Sequence, residues 1–227
     1  MRSPLLHLPA ILLAAASITF GNADGILCQQ VIRPDVAGIA AADGWTLYNR
    51  GATTETDGER TLVTFDGRPG DGAAWIDGVD FHNGTIELLI RGKNNPGLSF
   101  VGVAFRGVDN ETYDAIYFRP FNFVADNDAS RSHMVQYISH PEFTWSKLRE
   151  EHTDVYENPL PHPPNPDEFF RARIVIEKPR IQVFLGDETE PCLVVNELTD
   201  RVGGRIGLWM GNGSDGSFAE LTFKPAG

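Results

Sequence analysis

Between Ser99 and Ser139, apolar residues return at every second position in two runs, which predicts two half-buried strands. In the first run, Val101, Val103 and Phe105 alternate with Phe100, Gly102, Ala104 and Arg106. In the second, Ile116 and Phe118 alternate with Tyr113, Ala115, Tyr117 and Arg119. A hairpin through Gly107–Thr112 that pairs Phe105 with Asp114 sets Val103 opposite Ile116, Gly102 opposite Tyr117 and Phe100 opposite Arg119. Both apolar rows then share one face, as a buried sheet requires. Further strand patterns run over Thr61–Phe65, Thr85–Arg91, His133–Ser139, Phe170–Glu177, Arg180–Leu185, Leu193–Leu198, Arg205–Met210 and Phe218–Phe223. In Phe170–Glu177, Ala172, Ile174 and Ile176 form the apolar row, and in the last strand Ala219, Leu221 and Phe223 oppose Phe218, Glu220 and Thr222. Gly/Asp/Asn pairs such as Asp66-Gly67, Asn83-Gly84 and Gly203-Gly204 separate the runs as turns. Many short alternating strands without intervening helices predict an all-β sandwich or jelly roll.

One segment departs from this pattern. The connection over 140–168 is far longer than an ordinary loop. From Thr144 to Tyr156, residues Trp145, Leu148, His152, Val155 and Tyr156 fall at helical spacing. The proline-rich run Asn158–Pro166 excludes helix and central strand and predicts an extended surface strap. Helix and strap either wall the Tyr/Arg face or plug one end of the sandwich.

The N-terminus stands apart from this core. Arg2, an apolar stretch over Leu8–Phe20 and small residues at Gly21-Asn22-Ala23 predict a signal peptide over residues 1–23, too short in its apolar part for a membrane span. The expected product is one exported domain over 24–227, periplasmic or extracellular, with no membrane span. A net charge of −12 argues against a nucleic-acid partner, because phosphate binding needs concentrated Lys and Arg. Cys28 and Cys192 are the two cysteines, and an oxidising compartment allows them one disulfide, although sequence sets no distance between them. Asn83, Asn110 and Asn212 fit the glycosylation acceptor pattern, and each also reads as a turn residue.

Candidate chemistry gathers on the row opposite the apolar one. The guanidinium of Arg119 is a rigid fork of donors, and the ring of Tyr117 is an apolar platform with a hydroxyl, so together they suit a sugar. Tyr113 and Arg106 share that row. The alternation of His133–Ser139 is ambiguous: either Met134, Gln136 and Ile138 share a face, or His133, Val135 and Tyr137 do. The first arrangement offers Gln136 as a ligand contact, and the second adds His133 and Tyr137 to the Arg/Tyr surface, with His133 as a general base. Trp145 either stacks on a sugar or anchors the helix, and Trp209, between Gly207 and Gly211, either forms a platform or fills the core. No paired-carboxylate string of the E-x-D-x-x-E kind occurs; Glu151–Glu157 has the wrong spacing and reads as the solvated face of the helix. Asp114 falls on the apolar row. No cofactor is expected: Asp126-Asn127-Asp128 carries oxygens that suit Ca²⁺, but EF-hand spacing is absent and a solvated turn accounts for it.

The closing run from Gly204 to Leu221, with its G-x-x-G-L-W strand, Gly/Asp turn and returning Phe218 strand, resembles the last hairpin of concanavalin A-like lectin/glucanase domains. The central F-x-G-x-A-F strand and the Y-x-A-x-Y-F-R-P-F strand after it resemble exported bacterial members grouped with 3-keto-disaccharide hydrolase domains. The resemblance spans roughly residues 40–225, but the L-F-x-G-x-x-L-x-G-W opening of that group is missing, with only Gly44-Trp45-Thr46-Leu47-Tyr48 near its place. It implies a two-sheet jelly roll whose concave sheet carries a carbohydrate or glycoside ligand. It also implies processing of a keto-sugar; on chemical grounds alone, a ketone acidifies the neighbouring C–H, so a single base such as His133, with Arg119 stabilising the enolate, would suffice without a carboxylate pair. The alternative is a non-catalytic glycan-binding or cell-surface interaction module.

Overall fold

The computed structural model describes residues 30–226; the segment read as a signal peptide and Cys28 lie outside them. Among the described residues fourteen strands form in chain order: β1 (Trp45–Tyr48), β2 (Ala52–Asp57), β3 (Arg60–Phe65), β4 (Gly72–Ile76), β5 (Gly84–Arg91), β6 (Val101–Gly107) and β7 (Tyr113–Phe118), followed by β8 (Val135–His140), β9 (Glu157–Asn158), β10 (Phe170–Glu177), β11 (Arg180–Leu185), β12 (Leu193–Asn196), β13 (Arg205–Met210) and β14 (Gly216–Pro225). They make two antiparallel seven-stranded sheets, β1-β4-β13-β6-β7-β8-β9 and β12-β11-β10-β5-β14-β3-β2. The inward rows interleave in one core: Val101, Val103, Ile116 and Phe118 from the first sheet meet Ile86, Leu88, Ile174 and Phe218 from the second. The expected all-β jelly-roll sandwich is what the chain forms. Strands β1, β2, β4 and β9 are additions: β2 is a largely exposed edge, and β4 begins at Gly72, where the sequence reads as a turn.

The β6–β7 hairpin has the expected register, with Phe105 opposite Asp114, Val103 opposite Ile116 and Gly102 opposite Tyr117. Two β-bulges reverse the alternation elsewhere. In β14, Glu220 has φ 51° and the register against β5 shifts between Ala219 and Thr222. Phe218 therefore joins Leu221 and Phe223 in the core, while Ala219 turns to the outer face against Leu62 and Leu89, contrary to the period-2 expectation. In β6, Arg106 has φ 51° beside a register shift against β13. The extra residue takes Arg106 off the Tyr117 row into a buried ion pair with Glu197.

The 140–168 insertion lies against the outer face of the first sheet. Two short helices border that face, α1 (Asp128–Arg131) and α2 (Trp145–Glu151). Thr144 caps α2 by accepting from Lys147 N. The helix stops at His152, short of the expected Tyr156, where Thr153 Oγ1 donates to Arg149 O and Asp154 takes φ 59°. Its anchor is Leu148, buried among Ile138, Tyr113 and Ala115 and worth roughly 1.5–3 kcal/mol. The strap then crosses to the second sheet, with Leu160 in the core and Asn158 Nδ2 donating to Cys192 O. Cys192 is buried, and burial pushes its thiol up to about 12.

Candidate functional site

The outer face of the first sheet carries an aromatic floor. Gly102 lies between Tyr117 and Trp209 in register, so the two rings close over it with centroids 5.0 Å apart. A Cβ on Gly211 would stand 2.7 Å from Phe100 Cβ and 3.0 Å from Trp209 Cη2, so glycine there lets Phe100 and Trp209 approach each other. Phe100 meets Tyr117 and Phe121 edge-on, at 6.0 and 5.5 Å. With α2 as its wall, this floor forms a cleft of about 780 Å³ lined by Tyr117, Arg119, His133, His140, Trp145 and Trp209, among others. Trp145 is 51 % exposed at the rim and is no core anchor.

A polar network closes the end of the cleft next to the insertion. Arg119 lies one residue past β7, with Pro120 ending the pairing, and its chain is 4 % exposed. Its Nη2 donates to Tyr117 Oη (2.7 Å) and to Gln136 Oε1; its Nη1 donates to Glu157 Oε2 and to the His133 carbonyl, both at 3.3 Å. Tyr117 also donates to Gln136 Oε1 at 2.6 Å, and the Gln136 Nε2 donors stay unmatched. Arg149 of α2 holds Glu157 in a bidentate fork, at 2.9 and 2.7 Å. Burial raises the Glu157 carboxyl, but Arg149 and Arg119 outweigh it and hold the group below its ordinary range. Glu157 is therefore an ion at neutral pH and no proton donor. Burial pushes the Tyr117 hydroxyl up to about 12, against the pull of Arg119.

His133 enters this end because β8 begins only at Val135. Within the strand Gln136 pairs with Tyr117 on the outer face and Tyr137 turns inward, its hydroxyl accepting from Leu198 N. Neither alternation expected from sequence is complete: Gln136 and Ile138 face the cleft side, Met134 packs in the core, and His133 lines the cleft. Asn122 Nδ2 donates to the His133 carbonyl at 2.7 Å. His133 Nδ1 lies 3.1 Å from Glu157 Oε2 but out of line for a hydrogen bond. Burial lowers the imidazole's proton affinity more than Glu157 raises it.

The opposite end is built around Asp71. Tyr113 Oη donates to Asp71 Oδ2 and accepts from Trp209 Nε1, both at 3.0 Å. His140 stacks on Tyr113 with centroids 5.0 Å apart, and burial lowers its proton affinity. Asn212 Oδ1 accepts from Gly70 N (2.7 Å), and Arg50 Nη2 donates to Gly70 O and Gly211 O (2.9 and 2.8 Å), fixing both loops.

The structure thus brings Tyr117, Arg119, Gln136, His133 and Trp145 together and sets Tyr113 beneath the opposite end. It places Arg106 and Tyr137 on the core side, away from the cleft. Glu157, read from sequence as part of a solvated helix face, is 2 % exposed at the centre of the network. Asp71, Asn212 and Arg149 also escaped sequence reading; their signal was turn or helix chemistry, which is silent about a site. Asn83, Asn110 and Asn212 all use their carboxamide oxygens inside the protein. Asn127 caps α1, and among the described residues no group of three or more His, Cys, Asp or Glu is placed to hold a metal ion.

No family profile and no curated protein matches the sequence. Solved structures do match in fold. The carbohydrate-binding module CBM66 from Bacillus subtilis superposes with TM-score 0.55 at 15 % identity, over 80 % of this chain and 95 % of that one. A Bacillus subtilis protein of unknown function with a galectin-like fold gives 0.57 at 11 % identity, over 85 % and 94 %. The exoplasmic/lumenal domain of VIP36, solved with Ca²⁺ and Man3GlcNAc, gives 0.55 at 12 % identity, over 82 % and 85 %.

Proposed function

We propose that the chain is a carbohydrate-recognising jelly-roll domain whose ligand lies in the cleft between the Tyr117–Trp209 floor and α2. The observation that carries this reading is a cleft bordered at both ends by polar groups, with Trp145 exposed at its rim above the largely buried rings of Tyr117 and Trp209. Sugar rings present apolar C–H faces and a belt of hydroxyls, and such a surface complements both. The carbohydrate-bound VIP36 structure and CBM66 supply fold-level support. The first 23 residues are read as an export signal, so the carbohydrate is met outside the cytoplasm. Calorimetry against a glycan panel tests the proposal: Trp145→Ala should weaken binding by roughly 3- to 10-fold and leave the melting temperature unchanged. Absence of binding across the panel, or binding indifferent to Trp145, overturns it.

A second reading rests on His133, which burial keeps neutral at the cleft wall beside an ionised carboxylate. As a base it would abstract the acidic C–H of a keto-glycoside. Arg119, proposed from sequence to stabilise the enolate, has both Nη groups engaged by protein partners, which favours a framing role. Incubation with a 3-keto disaccharide, followed by product analysis, decides: turnover lost in His133→Gln supports catalysis, and none in the wild type leaves a binding module.

A further inference from the structure

We infer that the cleft's ligand is an acidic glycan, held with a carboxylate at Arg149 and hydroxyls toward Asp71. The inference rests on the carbohydrate-binding reading and adds the chemical class and orientation of the ligand.

The chain carries a net charge of −12, yet the insertion end of the cleft holds two guanidiniums against the one carboxylate of Glu157. Within the hydrogen-bonded network two cations thus face one anion, and the further acid acting on Arg149 and His133, Asp154, is exposed and screened by solvent. The two arginines are not equivalent. Arg119 has both Nη groups committed to Tyr117, Gln136, Glu157 and the His133 carbonyl. Arg149 holds Glu157 through Nε and Nη2 only, so Nη1 has no partner among the described residues. Its side chain is 34 % exposed, lines the cleft, and lies 5.3 Å from the Trp145 ring, which restricts its swing. A rigid donor edge with surplus charge favours a carboxylate over a hydroxyl.

The other end has the opposite character. Asp71 lines the cleft with Oδ2 taken by Tyr113 and with Oδ1 unpartnered among the described residues. The free oxygen of Asp71 accepts hydrogen bonds from sugar hydroxyls and offers no donor to a carboxylate. The polarity of the cleft therefore selects one orientation of a uronic-acid-type residue, and the Tyr117–Trp209 floor is common to acidic and neutral rings.

The experiment is calorimetry of the wild-type protein with oligosaccharides of galacturonic, glucuronic, mannuronic and guluronic acid, each beside its methyl ester. The ester keeps the shape and removes the charge. At least one acid should bind about tenfold more tightly than its ester, with the difference shrinking as ionic strength rises. Arg149→Gln should remove most of that difference. Because Arg149 also braces Glu157, the melting temperature of the variant is recorded, and the acid–ester comparison in the wild type stands without it. An ester or a neutral disaccharide that binds as tightly as the acids overturns the inference and leaves carbohydrate recognition intact. Failure of acids, esters and neutral glycans alike overturns both.

Discussion

Arg119 and Arg106 come from the same hairpin, are both buried, and are each gripped by a glutamate from later in the chain, yet they do different work. Arg106 and its partner Glu197 are wholly buried, with contacts of 2.6 and 2.9 Å, and Lys178 also binds Glu197 at 2.9 Å. That pair stitches the end of β6 to the 197–202 segment, where Arg106 Nη1 also donates to the Val202 carbonyl. Arg119 meets Glu157 at 3.3 Å, stands at the cleft wall, and shares its glutamate with Arg149, which is open to solvent. A buried arginine–glutamate pair is therefore no sign of function in itself. The open neighbour and the side of the sheet distinguish the two.

The sharpest test of that contrast is stability against binding. Arg106→Ala leaves Glu197 with Lys178 as its one cation and deletes the bond to the Val202 carbonyl, and should cost about 3 kcal/mol, lowering the melting point by on the order of 10 °C with ligand affinity intact. Glu157→Ala leaves the buried Arg119 with neutral partners alone and should cost a similar amount, about 3 kcal/mol, while ligand affinity, unlike in Arg106→Ala, falls at least as far as in Trp145→Ala. Thermal unfolding and calorimetry on both variants check this, and equal loss of binding in the two would dissolve the distinction.

The smallest expected effect is pH-dependent. Folding depresses the proton affinity of His133 below its ordinary 6.5 and of Glu157 below its ordinary 4.5. Each therefore supports the fold above its unfolded value and loses that support as pH falls through its folded one. Chemical denaturation should show stability slipping first below 6.5, by less in His133→Gln, where the half-buried His140 remains, and again below 4.5, by less in Glu157→Gln, where Glu220 and Asp66 remain. Steps whose size is unchanged in both variants would show that these two groups do not shape the acid limb.

Much of the fold was legible in sequence because strand burial follows a period of two, as in Val101, Val103 and Phe105 against Ile116 and Phe118. The same alternation set Tyr117 on the outward row and marked Arg119 as its continuation. It failed at Arg106 and around Glu220, where one added residue reverses every later parity while the composition stays strand-like. It failed at His133 because the strand begins two residues later than the pattern suggests.

By itself, then, the sequence determined the sandwich, the central hairpin with its register, and the row that carries Tyr117. These are local properties, set by side-chain alternation and turn residues within a few positions. Tertiary structure decided the site. Glu157 reaches Arg119 across 38 residues of chain, and Asp71, Trp209 and Asn212 join the cleft from other strands and turns. No short window records such meetings, because they depend on which sheet face a bulge exposes and where an insertion comes to rest.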